Sequence, residues 1–167
     1  IGQTGISPGD TLRYDLSLAI SDYFAFGKDF FSDGQLIVRD QLSDGQTLVG
    51  TPTLTVTLDG VQRTIALVTT TVVNADGSTS MAFDIAQSMR NAFANLRGWL
   101  NGDLAFDNVQ EGAVLALISY AAVVGQAYTP PAGSPHNEIN EGDELGNSAI
   151  VEGTLLHDIF NLTGQSQ

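Results

Sequence analysis

From Thr53 to Ile85 the chain runs through β-branched and aliphatic residues and breaks them twice with Asp-Gly, at Asp59-Gly60 and Asp76-Gly77. An Asp-Gly pair between such runs readily adopts the positive-φ backbone of a tight hairpin, so this stretch predicts three strands joined by turns. The same grammar continues on either side. Leu12, Tyr14, Leu16, Leu18 and Ile20 alternate with Arg13, Asp15, Ser17 and Ala19, which is the period-2 pattern of a half-buried strand. QLIVRDQL, residues 35 to 42, predicts a second strand and ends in the turn signal SDGQ. GAVLALISYAAVVGQAY, residues 112 to 128, is apolar at both alternating sets of positions and predicts a central strand. NSAIVEGTLL, residues 147 to 156, supplies the last strand, and 157–167 is an edge strand or a linker.

One segment breaks this pattern. Ile85, Met89, Phe93 and Leu96 recur at helical spacing with alanines between them, so 86–97 predicts one amphipathic helix, ended by Gly98 with Trp99 and Leu100 folding back. Seven or eight short strands, turns between neighbours and a single helix define an all-β fold. The expectation is an immunoglobulin-like antiparallel β-sandwich with one inserted α-helix at about 86–97. At 167 residues and 43% hydrophobic content, one domain with a sizeable core accounts for the whole of 1–167.

Charge and composition narrow the function. Nineteen acidic residues against six basic ones leave a net charge of −13, which repels nucleic acid and anionic membrane alike. The same acidity suits hard cations such as calcium, which take carboxylate and carbonyl oxygens. No cysteine is present, so disulfides, thiolate metal sites and cysteine nucleophiles are excluded. No apolar run is long enough to insert into a bilayer, and the chain opens on IGQTGISPGD without an initiator Met, as a segment excised from a longer multi-domain protein would.

One phrase occurs twice. Ile6, Gly9, Asp10 and Leu12 spell Ile-x-x-Gly-Asp-x-Leu, and so do Ile139, Gly142, Asp143 and Leu145. The flanking text differs, so the repetition points to a shared local job at two strand starts rather than to duplication. ISPGDTLRYDLSL resembles the opening strand of the repeated β-sandwich domains of bacterial surface adhesins and fimbriae. LIVRDQLSDGQTL is similar to their second signature, and GDELGNSAIVEG to their closing one. The three matches come in order between about residues 6 and 156. The resemblance is to the isopeptide-forming fimbrial domains and above all to their non-crosslinked relatives.

That resemblance implies an extracellular, cell-surface, non-enzymatic module of cell adhesion, set among neighbouring domains as one repeat of a stalk whose antiparallel strands resist extension. It also implies a residue set for a covalent crosslink in which a neutral Lys attacks an Asn side-chain amide beside a carboxyl group. By motif the acid is Asp40 and the amide Asn147. The lysine is out of place: the first strand carries Arg13, which does not deprotonate, and the sole lysine, Lys28, falls in the aromatic-rich connection SDYFAFGKDFFSDG. Without a crosslink, Asp40 is expected to cap a turn and Asn147 to satisfy backbone groups near a strand end. Tyr23, Phe24, Phe26, Phe30 and Phe31 are expected to plug an end of the sandwich. If exposed, they would form a patch for a host glycan or protein.

The calcium expectation rests on HNEINEGDE and SPGD, which gather Asp10, Glu138, Glu141, Asp143 and Glu144, without the spacing of an EF-hand. Catalytic constellations are missing. His136 and His157 stand apart, the neighbour Asp158 cannot orient His157 by adjacency alone, and no Gly-x-Ser-x-Gly elbow accompanies them.

Overall fold

A computed structural model of the chain describes residues 5–20, 35–58, 61–92, 114–130 and 137–154. Among them lie eight strands and one helix: β1 (Thr11–Ile20), β2 (Gln35–Leu42), β3 (Gln46–Leu58), β4 (Val61–Ala66), β5 (Val68–Val73), β6 (Thr79–Asp84), α1 (Ile85–Ala92), β7 (Val114–Val124) and β8 (Asn147–Thr154). They form two four-stranded sheets, ordered β1-β7-β3-β4 and β5-β6-β2-β8, with every pairing antiparallel. The expected all-β sandwich with one helix is the observed architecture.

Periodicity explains which side chains meet between the sheets. In β2 the buried positions are Leu36, Val38, Asp40 and Leu42, and in β6 they are Thr79, Met81 and Phe83. From the facing sheet come Leu54, Val56, Ala116, Ile118, Tyr120 and Ala122, with Tyr14, Leu16 and Leu18 of β1 partly buried against them. Phe83, Leu42, Leu54 and Ile118 have no exposed surface, and each such side chain contributes about 1.5–3 kcal/mol by burial.

Three expectations need correction. The stretch from Thr53 to Ile85 holds four strands, not three, because the middle run divides at Leu67. Leu67 is buried at a corner where the chain leaves one sheet for the other, and its N–H donates to the Pro52 carbonyl at 2.9 Å. No turn residue marks that crossing; an apolar side chain directed inward makes it. Second, β7 is central within its sheet but buries one face only, since Leu115 is 75% exposed while Ala116 and Ile118 are buried. A sheet in a two-layer sandwich has one face in water whatever its sequence. Third, α1 begins at Ile85, one residue earlier than expected, because Asp84 caps it by accepting from the Gln87 N–H at 2.8 Å. Residues 93–100, with the expected end of the helix and the Gly98 stop, lie outside the described residues, as does the aromatic connection 21–34.

Strand direction follows from the registers. β1 and β8 both start at the end of the sandwich that carries the turns at Ser7–Asp10, Ser43–Gly45, Asn74–Ser78 and Asn140–Asp143. Both finish at the opposite end, where α1 packs under β2, β4 and β5.

Candidate functional site

The alternation of β2 that buries Leu36, Val38 and Leu42 also carries a carboxylate inward, so Asp40 lies 3% exposed between the sheets. Burying a carboxylate is unfavourable unless hydrogen bonds replace its water, and three donors do so here. The Tyr120 hydroxyl, reaching across from β7 on the facing sheet, donates to Asp40 Oδ2 at 2.5 Å. The Gln41 N–H donates to Oδ1 at 2.7 Å. Asn147, the first residue of β8, directs its amide at both partners, with Nδ2 at 3.0 Å from the Tyr120 oxygen and 3.4 Å from Asp40 Oδ2.

A second layer holds Tyr120 in place. Tyr14 of β1, its cross-strand partner, stacks on it with ring centroids 5.0 Å apart and planes 18° from parallel. The Tyr14 hydroxyl donates to Gln46 Oε1. Gln46 is itself buried, and its Nε2 donates to Ser43 Oγ at 3.0 Å and to the Gly146 carbonyl at 3.3 Å. Five strands, β1, β7, β3, β2 and β8, therefore contribute to one polar layer inside an otherwise apolar core. Burial, and then the hydrogen bond to Asp40, push the Tyr120 phenol well above its usual value, so it stays a neutral donor. Tyr14 is raised too, chiefly by burial.

Two residues of the crosslink set, Asp40 and Asn147, are brought together; Lys28 lies outside the described residues. The default readings, a turn cap for Asp40 and backbone groups for Asn147, are replaced by a side-chain cluster: Asp40 accepts from Tyr120 and Asn147 as well as from the adjacent Gln41 N–H, and the Asn147 amide is directed at Asp40 and Tyr120. Tyr120 went unread in the sequence. Its one signal is a hydroxyl-bearing ring at an inward position of an aliphatic strand, opposite another inward tyrosine, and only the pairing of the two sheets gives it Asp40 as a partner.

The residues of the calcium expectation, Asp10, Glu138, Glu141, Asp143 and Glu144, fall at the turn-bearing end. Asp10 Oδ2 accepts from the Ser7 N–H at 2.9 Å, and Asp143 Oδ2 accepts from the Asn140 N–H at 2.9 Å and the Tyr128 hydroxyl at 2.9 Å. Glu138 pairs by backbone with Ala127 in an isolated bridge, and Glu141 and Glu144 are exposed. Among the described residues, no group of three His, Asp or Glu side chains is placed to hold a metal ion. His136 and His157 lie outside the described residues, as do the five aromatic residues from Tyr23 to Phe31.

Fold and site together define a two-sheet antiparallel β-sandwich with a hydrogen-bonded polar layer that runs from its core to the exposed Asn147. No family model matches the chain, and no curated protein matches it. Among solved structures, it is similar to the collagen-binding subdomain of the Enterococcus faecalis surface protein ACE, at 12% sequence identity and a TM-score of 0.35, covering 88% of each chain. A likeness that thin says nothing about what this chain binds.

Proposed function

We infer that the chain is a non-enzymatic spacer module of an extracellular bacterial surface protein, joined to neighbouring domains in a stalk. The observation that carries this reading is the placement of the two outermost described strands. The chain enters β1 at one end of the sandwich and leaves β8 at the other, so successive units would add along one axis. A ten-residue strand such as β1 spans about 33 Å, which sets the scale of the step per unit. The sequence resemblance to adhesin and fimbrial repeats supports the surface location, and the hydrogen-bonded Asp40 layer supports a structural use of the core polar groups.

Antibody labelling of intact cells, with and without protease treatment of the surface, tests the location. Surface signal removed by protease is expected; signal seen only after lysis would overturn the reading. A second reading is favoured by one observation, the 3.4 Å approach of Asn147 to Asp40: a self-crosslinking domain in which Lys28 attacks the Asn147 amide and ammonia leaves. Intact mass separates the two, because the crosslink removes one ammonia and the uncrosslinked module has the full sequence mass.

A further inference from the structure

The registers determine how this sandwich meets a pull along its axis. β1 runs from Thr11 at the turn-bearing end to Ile20, paired along its whole length with β7 from Val123 back to Val114. β8 runs in the same direction from Asn147 to Thr154, paired along its whole length with β2 from Leu42 back to Gln35. Tension reaching Thr11 from before the strand draws β1 outward past β7, and tension leaving Thr154 draws β8 the opposite way past β2. Both strands slide lengthwise against a partner whose hydrogen bonds lie perpendicular to the motion. Every rung is strained together, whereas a sideways pull would open rungs one after another.

The buried polar layer sits across both sliding interfaces. Asn147 heads β8 and is bonded to Tyr120 on the facing sheet and to Asp40 on β2, the strand over which β8 must slide. Just ahead of it, the Gly146 N–H donates to Ser43 Oγ at 3.0 Å and the Gly146 carbonyl accepts from the Ser43 N–H at 3.2 Å. On the other interface Tyr14 of β1 is stacked on Tyr120 of β7 and bonded to Gln46 of β3. A slip of one residue is about 3.3 Å, enough to break these contacts together.

We propose that β1 and β8 form a shear clamp against axial tension, with Asp40, Tyr120 and Asn147 as the bolt that resists the first step of sliding. The use of such a clamp in a stalk rests on the spacer reading; the mechanics belong to the isolated protein.

Constant-force unfolding of the full chain tests it. The chain has no cysteine, so introduced pairs are unique attachment points. One tether pulls through the chain's own two ends. The other pulls between Ser17→Cys and Leu117→Cys, which stand directly opposite each other on the outward face of β1 and β7, and peels the two apart. The end-to-end tether is expected to withstand markedly higher force, and equal resistance in the two directions would overturn the clamp. Asn147→Ala is expected to raise the end-to-end unfolding rate at fixed force roughly five- to tenfold, from the loss of its part-buried hydrogen bonds to Tyr120 and Asp40, while leaving the peeling rate unchanged. An unchanged end-to-end rate, or equal acceleration in both directions, would overturn the bolt. Cell labelling fails or succeeds independently: a blank surface with a strong clamp overturns only the location, and a labelled surface with a weak clamp overturns only the clamp.

Discussion

Asp10 and Asp143, near opposite ends of the chain, close the same turn. Each accepts at Oδ2 from the N–H three residues earlier, Ser7 or Asn140, at 2.9 Å, and each returns its own N–H to that residue's carbonyl, at 3.0 and 3.1 Å. Gly9 and Gly142 take the position before the aspartate with φ of 93° and 97°, where a glycine avoids the strain of a side chain. The two turns also touch, since Gly5 approaches the Gly142 backbone closely. The repeated Ile-x-x-Gly-Asp-x-Leu is one turn used twice at one end of the sandwich.

This contact predicts a graded pair of glycine variants. A Cβ at Gly5 would stand 2.6 Å from the Gly142 nitrogen and 2.8 Å from Glu141 Cγ, so Gly5→Ala must part the two turns. Gly9→Ala meets nothing within 4 Å and bears only the left-handed backbone, a penalty of about 1–2 kcal/mol. Urea denaturation should show both destabilised, and hydrogen exchange should show faster exchange at Asn140 to Asp143 in Gly5→Ala alone.

Acid should weaken this end of the molecule first. The Asn140 N–H, and then the Tyr128 hydroxyl, hold the Asp143 carboxyl below its usual value; the Ser78 hydroxyl and N–H do the same for Asp76. A carboxyl lowered in the folded state contributes stability above its unfolded pKa of about 3.9 and loses it as pH falls toward the folded value. The melting temperature should therefore drop as pH is lowered through about 4, and Asp143→Asn should flatten part of that drop.

Alkali tests the core layer with the opposite sign. Tyr120 is raised in the folded state by burial and by its bond to Asp40, so its contribution is present below the unfolded value of about 10 and disappears as pH rises beyond it. Tyrosinate absorbance should lag until near-ultraviolet circular dichroism reports loss of packing. Tyr120→Phe leaves a buried carboxylate short of its closest donor and should lose about 1–3 kcal/mol in urea denaturation.

At the helical end, Ser88 is 1% exposed; its hydroxyl accepts from the Val68 N–H at 2.8 Å and donates to the Asp84 carbonyl at 2.5 Å. Ser88→Ala leaves the Val68 N–H without that acceptor and should lose about 1–3 kcal/mol, with β5 and α1 loosening together in hydrogen exchange.

Calcium is decided by melting curves with and without a chelator, since a bound ion must stabilise the fold by mass action. The carboxylates of Asp10 and Asp143 already accept from backbone N–H groups, so superimposable curves are expected. A higher melting temperature with calcium would show that the chain binds the ion, and loss of that shift in Asp143→Asn would place it at this end.

Local matters were legible in the order of residues alone. Alternation in Leu12 to Ile20 named a strand and its faces, because side chains of an extended chain point to opposite sides in turn, and QLIVRDQL read as a second strand. Motif resemblance singled out Asp40 and Asn147, and the repeated phrase marked a shared turn. The rest came from packing across the sandwich. Leu67 divides a run that reads as one strand because it is buried where the chain changes sheets. Tyr120 becomes Asp40's donor only because β7 faces β2, a relation between strands distant in the chain. Period-2 patterning states which way a side chain points, and the packing of one sheet on another states what it meets.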